Sequence, residues 1–290
     1  MASMITRLSR TAARMALAAA ALSMLATPAV GGPFVFSTGD PDGKIATASR
    51  PDSQGKVEIE SADDFILANP TTITSATFTG LIPTGASITD VIVEIYRVFP
   101  KDSDTVRTPN VPTRTNSPSD VAFDSRDFAD GKLSFTTSIL SADFTAANSV
   151  VNGINPNPNQ QTDGEGPVTG QEVLFSVNFI MPFSLGPDHY FFIPQVELDS
   201  GDFLWLSAPK PIAGGTGPFA PDLQSWIRNA NLDPDWLRVG TDIVGPPAQG
   251  GAAPTFNTAF SLAGTVPEPA TLLLLAFDLI VLWWGLRRKR

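Results

Sequence analysis

Apolar residues recur at every second position along much of this chain, and that alternation limits the fold more than any other feature. The segment Gln171–Phe179 places apolar side chains on one face and mostly polar ones on the other, and Phe256–Leu262 repeats the pattern. A period of two is that of a β-strand with one buried face. Val91–Phe99 is apolar on both faces apart from Glu94 and Arg97, which predicts a central strand. The same reasoning predicts further strands at Phe34–Ser37, Ile73–Thr79, Leu133–Thr137, Tyr190–Leu198 and Phe203–Leu206.

Proline and glycine separate these strands and exclude long helices from the middle of the chain. The 26 Pro and 23 Gly residues belong largely to turns and loops, where Pro presets φ and Gly permits a positive φ. The sequence therefore predicts an all-β fold, a single jelly-roll-like β-sandwich. Asn152–Gly170 could instead be a linker, but the strands on either side are too few for two sandwiches. Long Pro/Gly-rich loops are expected at Thr108–Asp120, Asn152–Gly170, Ala208–Pro221 and Gly245–Pro254.

The chain has no cysteine and a single histidine, His189. Its fold must then be held by a core rather than by disulfides, and a multi-histidine zinc site cannot form within one chain. The predicted domain, residues 30–265, holds 12 basic and 27 acidic residues, a net charge of about −15. A surface this acidic repels nucleic acid and anionic lipid, so no nucleic-acid partner is expected.

Residues 1–29 are predicted to be a secretory signal peptide. Three arginines precede an apolar run of eleven residues, Met15–Leu25, and Thr27-Pro28-Ala29 offers a small-residue cleavage site. The apolar run covers about 16 Å as a helix, which is too short for a bilayer core of about 30 Å. We therefore expect cleavage near Ala29 and export of the domain that follows.

The C-terminal end, residues 266–290, combines three features in order. Pro267-Glu268-Pro269 comes first, an apolar run from Leu272 to Leu286 follows, and Arg287-Arg288-Lys289-Arg290 closes the chain. The apolar run covers about 22 Å as a helix and is interrupted only by Asp278. The four basic residues are expected in the cytoplasm by the positive-inside rule. The run is therefore a predicted transmembrane helix, with the domain outside.

This order resembles the PEP-CTERM sorting signal of exported bacterial proteins. The resemblance implies that an exosortase-type enzyme processes Pro267-Glu268-Pro269 just outside the membrane, and that the protein reaches the cell surface or an extracellular polysaccharide matrix. One departure is Asp278, where the family usually has a small or apolar residue. Upstream, Asp63-Asp64-Phe65, Val93-Glu94-Ile95-Tyr96 and Phe260–Thr265 resemble the generic extracellular β-domain of such proteins, which implies no catalytic residues.

Hydrolase chemistry has two candidate groups, and neither is complete. His189 beside Asp188 could serve a Ser-His-Asp arrangement, but the chain has no Gly-x-Ser-x-Gly motif, and Gly186–His189 is typical of a turn before a strand. Asp63 and Asp64 are neighbours, so in an extended chain they point to opposite faces and cannot serve one glycosidase site. They are expected to close a turn. The sequence predicts no enzyme activity, and a secreted hydrolase is the least favoured alternative.

Asp40-Pro41-Asp42-Gly43 spaces two carboxylates like the start of a calcium loop. An EF-hand is excluded, because the position that would need a bidentate Glu is Pro51. Two interpretations stay open. Asp40 and Asp42 could hold Ca²⁺ loosely together with loop carbonyls, or the segment could be a plain turn.

Trp226 and Trp236 are the candidate ligand contacts. They flank Arg228, Asp233 and Asp235 in a polar stretch without alternation. Aromatic faces beside carboxylates and amides are what a sugar-binding cleft requires. The alternative is that both indoles pack over one end of the fold with their N–H groups hydrogen-bonded.

The function expected from these features is that of an exported, non-enzymatic surface or extracellular-matrix protein of structural or interaction type. It would begin as a precursor anchored in the inner membrane by its C-terminal helix. A carbohydrate-binding module for extracellular polysaccharide, using Trp226 and Trp236, is the alternative.

Overall fold

Strands make up nearly all of the regular structure, and the all-β prediction is confirmed. The computed structural model describes residues 32–53, 55–106, 115–155, 161–211 and 222–267. Residues Pro33–Val266 form one compact unit. No helix in the described ranges is long and apolar enough to cross a membrane. The predicted signal peptide and all but the first residues of the predicted sorting signal lie outside those ranges.

Within the described ranges, fifteen strands and one π-helix (Val239–Val244) follow one another. The strands are β1 (Gly32–Ser37), β2 (Ala46–Ala48), β3 (Ile59–Leu67), β4 (Thr71–Ile82), β5 (Ile88–Arg97), β6 (Asp124–Asp127), β7 (Leu133–Ala146), β8 (Ser149–Val150), β9 (Val168–Leu185), β10 (Asp188–Leu198), β11 (Leu204–Ala208), β12 (Trp226–Asn229), β13 (Leu237–Arg238), β14 (Asn257–Thr258) and β15 (Phe260–Val266).

The strands form two sheets. One has nine strands in the order β1-β15-β4-β11-β2-β8, with β14 joined to β11, β9 joined to β4, and β7 joined to β9. The other has six strands in the order β13-β12-β3-β10-β5-β6. Most neighbours are antiparallel, and β2 with β8 is a parallel pair. The chain passes repeatedly from one sheet to the other, so neighbouring strands such as β4 and β15 come from distant parts of the sequence.

Aromatic rings from both sheets meet in one core. Phe78 and Phe175 of the nine-stranded sheet stack with ring centroids 4.7 Å apart. Phe192 of the six-stranded sheet lies 6.4 Å from Phe78 and stacks on Phe260 at 5.0 Å. Burying each such ring stabilises the fold by about 1.5–3 kcal/mol. The face predicted from alternation is confirmed, since the apolar residues Val173, Phe175, Val177 and Phe179 are all buried.

The outer face of the six-stranded sheet is covered as well. A separate cluster of buried apolar residues lies there: Ala62, Tyr96, Phe191, Ile193, Leu223, Trp226 and Trp236. Because side chains alternate along a strand, Glu60, Ala62 and Asp64 of β3 share this face. Glu60 and Asp64 are buried on this face. Leu223 and Trp236, from the segments next to β12 and β13, belong to the cluster that covers it.

Strands β3 and β12 are among those that alternation did not reveal, and buried polar residues are the reason. The turn predicted at Asp63 and Asp64 is wrong, because both residues lie inside β3, a central strand of the six-stranded sheet. The stretch around Trp226, which showed no alternation, contains strand β12, paired with β3. Apolar–polar alternation reveals a strand when its polar face is exposed to solvent. Strand β3 has polar residues on faces that are both buried, except at Ile66.

Gly264 provides a test of the pairing between β4 and β15. A Cβ at this position would lie 2.0 Å from the carbonyl oxygen of Thr72, which is backbone and cannot rotate away. We expect Gly264→Ala to lower the free energy of unfolding by about 1–3 kcal/mol, as overpacking does. Gly186→Ala is the matched control, because nothing lies within 4 Å of its Cβ position. Urea denaturation measures both, and a Gly264→Ala protein as stable as wild type would contradict this packing.

Candidate functional site

Of the two interpretations of Trp226 and Trp236, the structure matches packing in the core rather than an open sugar-binding cleft. Trp226 is 2% exposed and Trp236 is 1% exposed, so neither ring has a face on which a sugar could stack. Nε1 of Trp236 donates to the carbonyl oxygen of Ser119 at 3.1 Å. Nε1 of Trp226 has no hydrogen-bond partner within the described ranges. Both indoles are core residues, as the alternative interpretation held, although only Trp236 has its N–H paired.

Three glutamates, two of them within strands, meet on the outer face of the six-stranded sheet. Glu60 lies in β3, Glu94 in β5, and Glu58 immediately precedes β3. One carboxylate oxygen of each lies within 4.8 Å of those of the other two. Gln195 of β10, the strand between β3 and β5, donates to Oε1 of Glu58 at 2.8 Å. The three side chains converge because alternation points them all to the outer face of the sheet.

Arg228 is the cation of this cluster. The pairing of β12 with β3 sets it directly opposite Glu60, and its Nε donates to Oε2 of that carboxylate. Its Nη2 donates to the hydroxyl of Tyr96 at 2.9 Å, and its Nη1 lies 2.8 Å from Oδ1 of Asp233. The guanidinium stacks over the ring of Trp236 at 4.4 Å. Burial lowers the pKa of Arg228, but the charges of Glu60, Tyr96 and Asp233 and the hydrogen bond to Glu60 together outweigh that effect and raise it, so the cation is kept.

Glu58, Glu60 and Glu94 lie around a single buried cation, Arg228. The pKa values of Glu58 and Glu94 are raised. Burial first, and then the negative charges of Glu60 and Glu58, raise the pKa of Glu94 to about 8. Burial and the charge of Glu60 also raise the pKa of Glu58. Tyr96 donates to Oε1 of Glu60 at 2.8 Å, and burial raises the pKa of this phenol, so it stays a donor. At neutral pH Glu94 therefore holds a proton.

The donor set could suit a hard cation, since Ca²⁺ prefers carboxylate oxygens. However, both oxygens of Glu60 already accept hydrogen bonds, from Arg228 and from Tyr96. The charge of Arg228 opposes a second cation at the same place. The cluster therefore fits an internal ion-pair network better than a metal centre.

The residues of the predicted calcium loop have different surroundings. Asp40 is exposed. Asp42 accepts hydrogen bonds from the backbone N–H of Lys44 at 3.1 Å and from Oγ of Ser207 at 2.5 Å, and Nζ of Lys44 lies 2.8 Å from its Oδ2. Burial raises the pKa of Asp42, but these hydrogen bonds outweigh burial and lower it. Protein donors thus occupy Asp42, and calcium binding by Asp40 and Asp42 stays a prediction.

His189 pairs with an acid that its neighbourhood in sequence does not reveal. Its Nε2 lies 2.5 Å from Oδ2 of Asp64, whose Oδ1 accepts the backbone N–H of Leu223 at 3.0 Å. The neighbouring Asp188 instead binds Nζ of Lys101 at 2.5 Å. His189 is buried in β10 rather than at an open turn edge. The pair joins two adjacent strands of the six-stranded sheet.

Asp63 and Asp64 point to opposite faces, as adjacent strand residues must. Oδ2 of Asp63 accepts from the backbone N–H of Thr258 at 2.7 Å and from its hydroxyl at 3.1 Å, which ties β3 to β14 of the other sheet. Burial raises the pKa of both carboxyl groups. The prediction that they cannot serve one site together is consistent with their separate partners.

Only part of the sorting motif can be described. Pro267 follows β15 and is exposed. Glu268 and Pro269 lie outside the described residues. No protein-family model, curated protein or solved structure matches this chain.

Glu94 should make stability depend on pH. Its pKa is about 8 in the folded chain, against a usual value of 4.5. The stability from this raised pKa is fully present below pH 4.5 and is lost as pH rises through 8. Across that window the free energy of unfolding falls by up to about 1.4 kcal/mol per pH unit. Glu94→Gln keeps a neutral hydrogen-bonding group and should remove this share of the slope.

Urea denaturation between pH 5 and 9 measures the difference. Glu197→Gln, at the far end of β10 and outside the cluster, should keep the wild-type slope. Identical slopes for wild type and Glu94→Gln would contradict the proton assignment.

Arg228 should be costly to remove. Arg228→Met leaves the carboxylate of Glu60, a residue 2% exposed, without its cation, so we expect a loss of about 3–5 kcal/mol. Lys132→Met removes an exposed ion pair with Asp130 and should change stability by less than about 1 kcal/mol. Adding Glu60→Gln to Arg228→Met should recover part of the loss, because no buried charge is then left unpaired. If Arg228→Met and Lys132→Met lower the free energy of unfolding equally, Arg228 is not needed to compensate the buried charge of Glu60.

Proposed function

We propose that this chain is an exported, non-enzymatic surface or extracellular-matrix protein of structural or interaction type. The observation that carries the proposal is the order of features at the C-terminus: Pro267-Glu268-Pro269, an apolar run and four basic residues. An exosortase-type enzyme is the processing partner. The precursor is anchored in the inner membrane through the apolar run, and the processed protein is delivered to the cell surface or matrix.

The N-terminal sequence supports the same route. Three arginines, an eleven-residue apolar run and the small-residue site ending at Ala29 suit a cleaved leader. The Asp278 carboxylate within the C-terminal run is costly in a bilayer, by a few kcal/mol on insertion scales. A poor permanent anchor suits a segment that is held only until it is processed.

In this proposal the two sheets form a single jelly-roll-like β-sandwich. Its support is the shared aromatic core, in which Phe78 and Phe260 of one sheet contact Phe192 of the other. A core of this kind suits an exported chain that lacks cysteine, because no disulfide contributes to its stability.

A structural or interaction role is favoured over chemistry by how the titratable groups are used. Glu60 is engaged by Arg228, and His189 by Asp64, in contacts that join strands. The sugar-binding alternative has lost the two tryptophans on which it depended, since Trp226 and Trp236 are buried. Extracellular polysaccharide is still a proposed partner, because it would form the matrix in which the protein is located.

Processing provides the test. The full chain is expressed in an exosortase-containing bacterium, and the mature protein is analysed by intact mass and by its accessibility at the cell surface. We expect the mature protein to lack Arg290 and to be surface-exposed. The variant Pro267→Ala with Pro269→Ala should keep its tail and stay in the inner membrane.

A second proline pair supplies the control. Pro246→Ala with Pro247→Ala changes an exposed loop and should be processed like wild type. A wild-type protein that still carries Arg290 at steady state would contradict the proposal.

A further inference from the structure

Strand β7 is an edge of the nine-stranded sheet. Among the described residues it pairs only with β9, and the pairing is regular from Leu133 to Ile139 before two bulges interrupt it. An edge strand presents unpaired N–H and C=O groups, which proteins usually protect with charge, proline or short length. From Leu133 to Ala142 the strand contains neither a charged residue nor a proline.

Exposed apolar side chains concentrate beside this edge. Ile139 and Leu140 of β7 are 61% and 53% exposed. Phe128, which is 42% exposed, contacts Phe135 of β7 with ring centroids 4.9 Å apart. Met181, 55% exposed, donates its backbone N–H to the residue before β7. Apolar surface grouped in this way marks an interaction site.

The regular part of β7 is nearly symmetric about its middle residue. Its sequence is Leu-Ser-Phe-Thr-Thr-Ser-Ile, centred on Thr136. An antiparallel pair of such strands around a two-fold axis at Thr136 sets Ser134 opposite Ser138 of the second copy. A two-fold axis perpendicular to the sheet leaves each side chain on its original face. The hydroxyl side chains of Ser134, Thr136 and Ser138 therefore meet those of the second copy on one face. On the other face Leu133 meets Ile139. Such cross-strand pairs stabilise an antiparallel sheet.

We propose that the free edge of β7 is a self-association surface, on which a second copy of this chain pairs antiparallel with Thr136 opposite Thr136. The pairing joins the nine-stranded sheets of the two copies and satisfies the edge N–H and C=O groups. It also brings the exposed Ile139 beside the partly buried Phe135 of the second copy. The surface is isologous, so the assembly closes as a dimer. This inference stands apart from the export proposal and can fail or hold without it.

A second copy fits this edge better than other occupants do. The symmetry about Thr136 complements an identical strand, and a strand of unrelated sequence would not match it. A polysaccharide has no row of N–H and C=O groups at strand spacing to pair with the edge.

Electrostatics also favours this edge for contact between copies. The acidic domain makes copies repel each other, but charges more than about 8 Å away are largely screened at physiological salt. Between Lys132 and Asp143 the edge carries no charge of its own. Contact here therefore brings no like charges directly opposite each other.

Charge pairs at Thr136 test the register. The full chain in mild detergent is examined by sedimentation velocity, and wild type is expected to be dimeric. Thr136→Lys and Thr136→Glu each put like charges opposite one another, so each should weaken the dimer by about tenfold or more. An equimolar mixture of the two should restore it, because Lys then faces Glu. Val35→Lys, on the exposed edge strand β1, should stay dimeric.

A single thiol gives an independent measurement. The chain has no cysteine, so Thr136→Cys should form a disulfide-linked dimer on mild oxidation. Met181→Cys, an exposed position in β9 away from the proposed contact, should not. A wild-type chain that is monomeric at about 0.1 mM overturns the proposal. A Thr136→Lys protein that is still dimeric also overturns it, as does an equimolar mixture of Thr136→Lys and Thr136→Glu that stays monomeric. Equal cross-linking of Thr136→Cys and Met181→Cys would overturn it as well.

Discussion

The contact between aromatic rings of the two sheets is the interaction on which the rest of the structure depends. Phe192 of β10 touches Phe78, Trp205 and Phe260 of the opposite sheet. The chain has no disulfide to replace these contacts. They fix β10 in place, and β10 in turn carries β3 and β5 on its two sides. The polar network on the outer face of the six-stranded sheet exists only because these three strands are held side by side.

That polar network joins strands of the six-stranded sheet. Burying Glu60 and Arg228 costs desolvation energy, which their attraction and hydrogen bonds have to offset. Their geometry nevertheless allows one arrangement, because Glu60 also accepts from Tyr96, and Trp236 lies over the guanidinium. The groups that sequence inspection would assign to chemistry are used for joining strands. These buried groups are therefore committed to the fold.

Strands with one buried face, or with apolar residues on both faces as in β10, are visible in the sequence. Strands whose buried faces carry polar residues, as in β3, are not. The inward face of β9 was correctly predicted, because its polar neighbours face solvent and the alternation is visible. Strand β3 was missed, because Asp63 and Asp64 are both buried and resemble a turn in the sequence. The pattern at Trp226 and Trp236 is the same whether the indoles line an open cleft or are sealed under a layer of loops. Relative positions in three dimensions, which local sequence does not encode, separate those two cases.

The sequence alone determined the all-β class and the acidic character of the domain, because periodicity and charge are local properties. The signals at its two ends stay predictions. Tertiary structure decided which acids meet which cations. Arg228 reaches Glu60 across 168 residues of chain, and His189 reaches Asp64 across 125. Such pairs follow from strand order and register, which depend on the whole core rather than on either residue's neighbours. The free edge of β7 is likewise a property of the assembled sheet, although the symmetry about Thr136 was present in the sequence throughout.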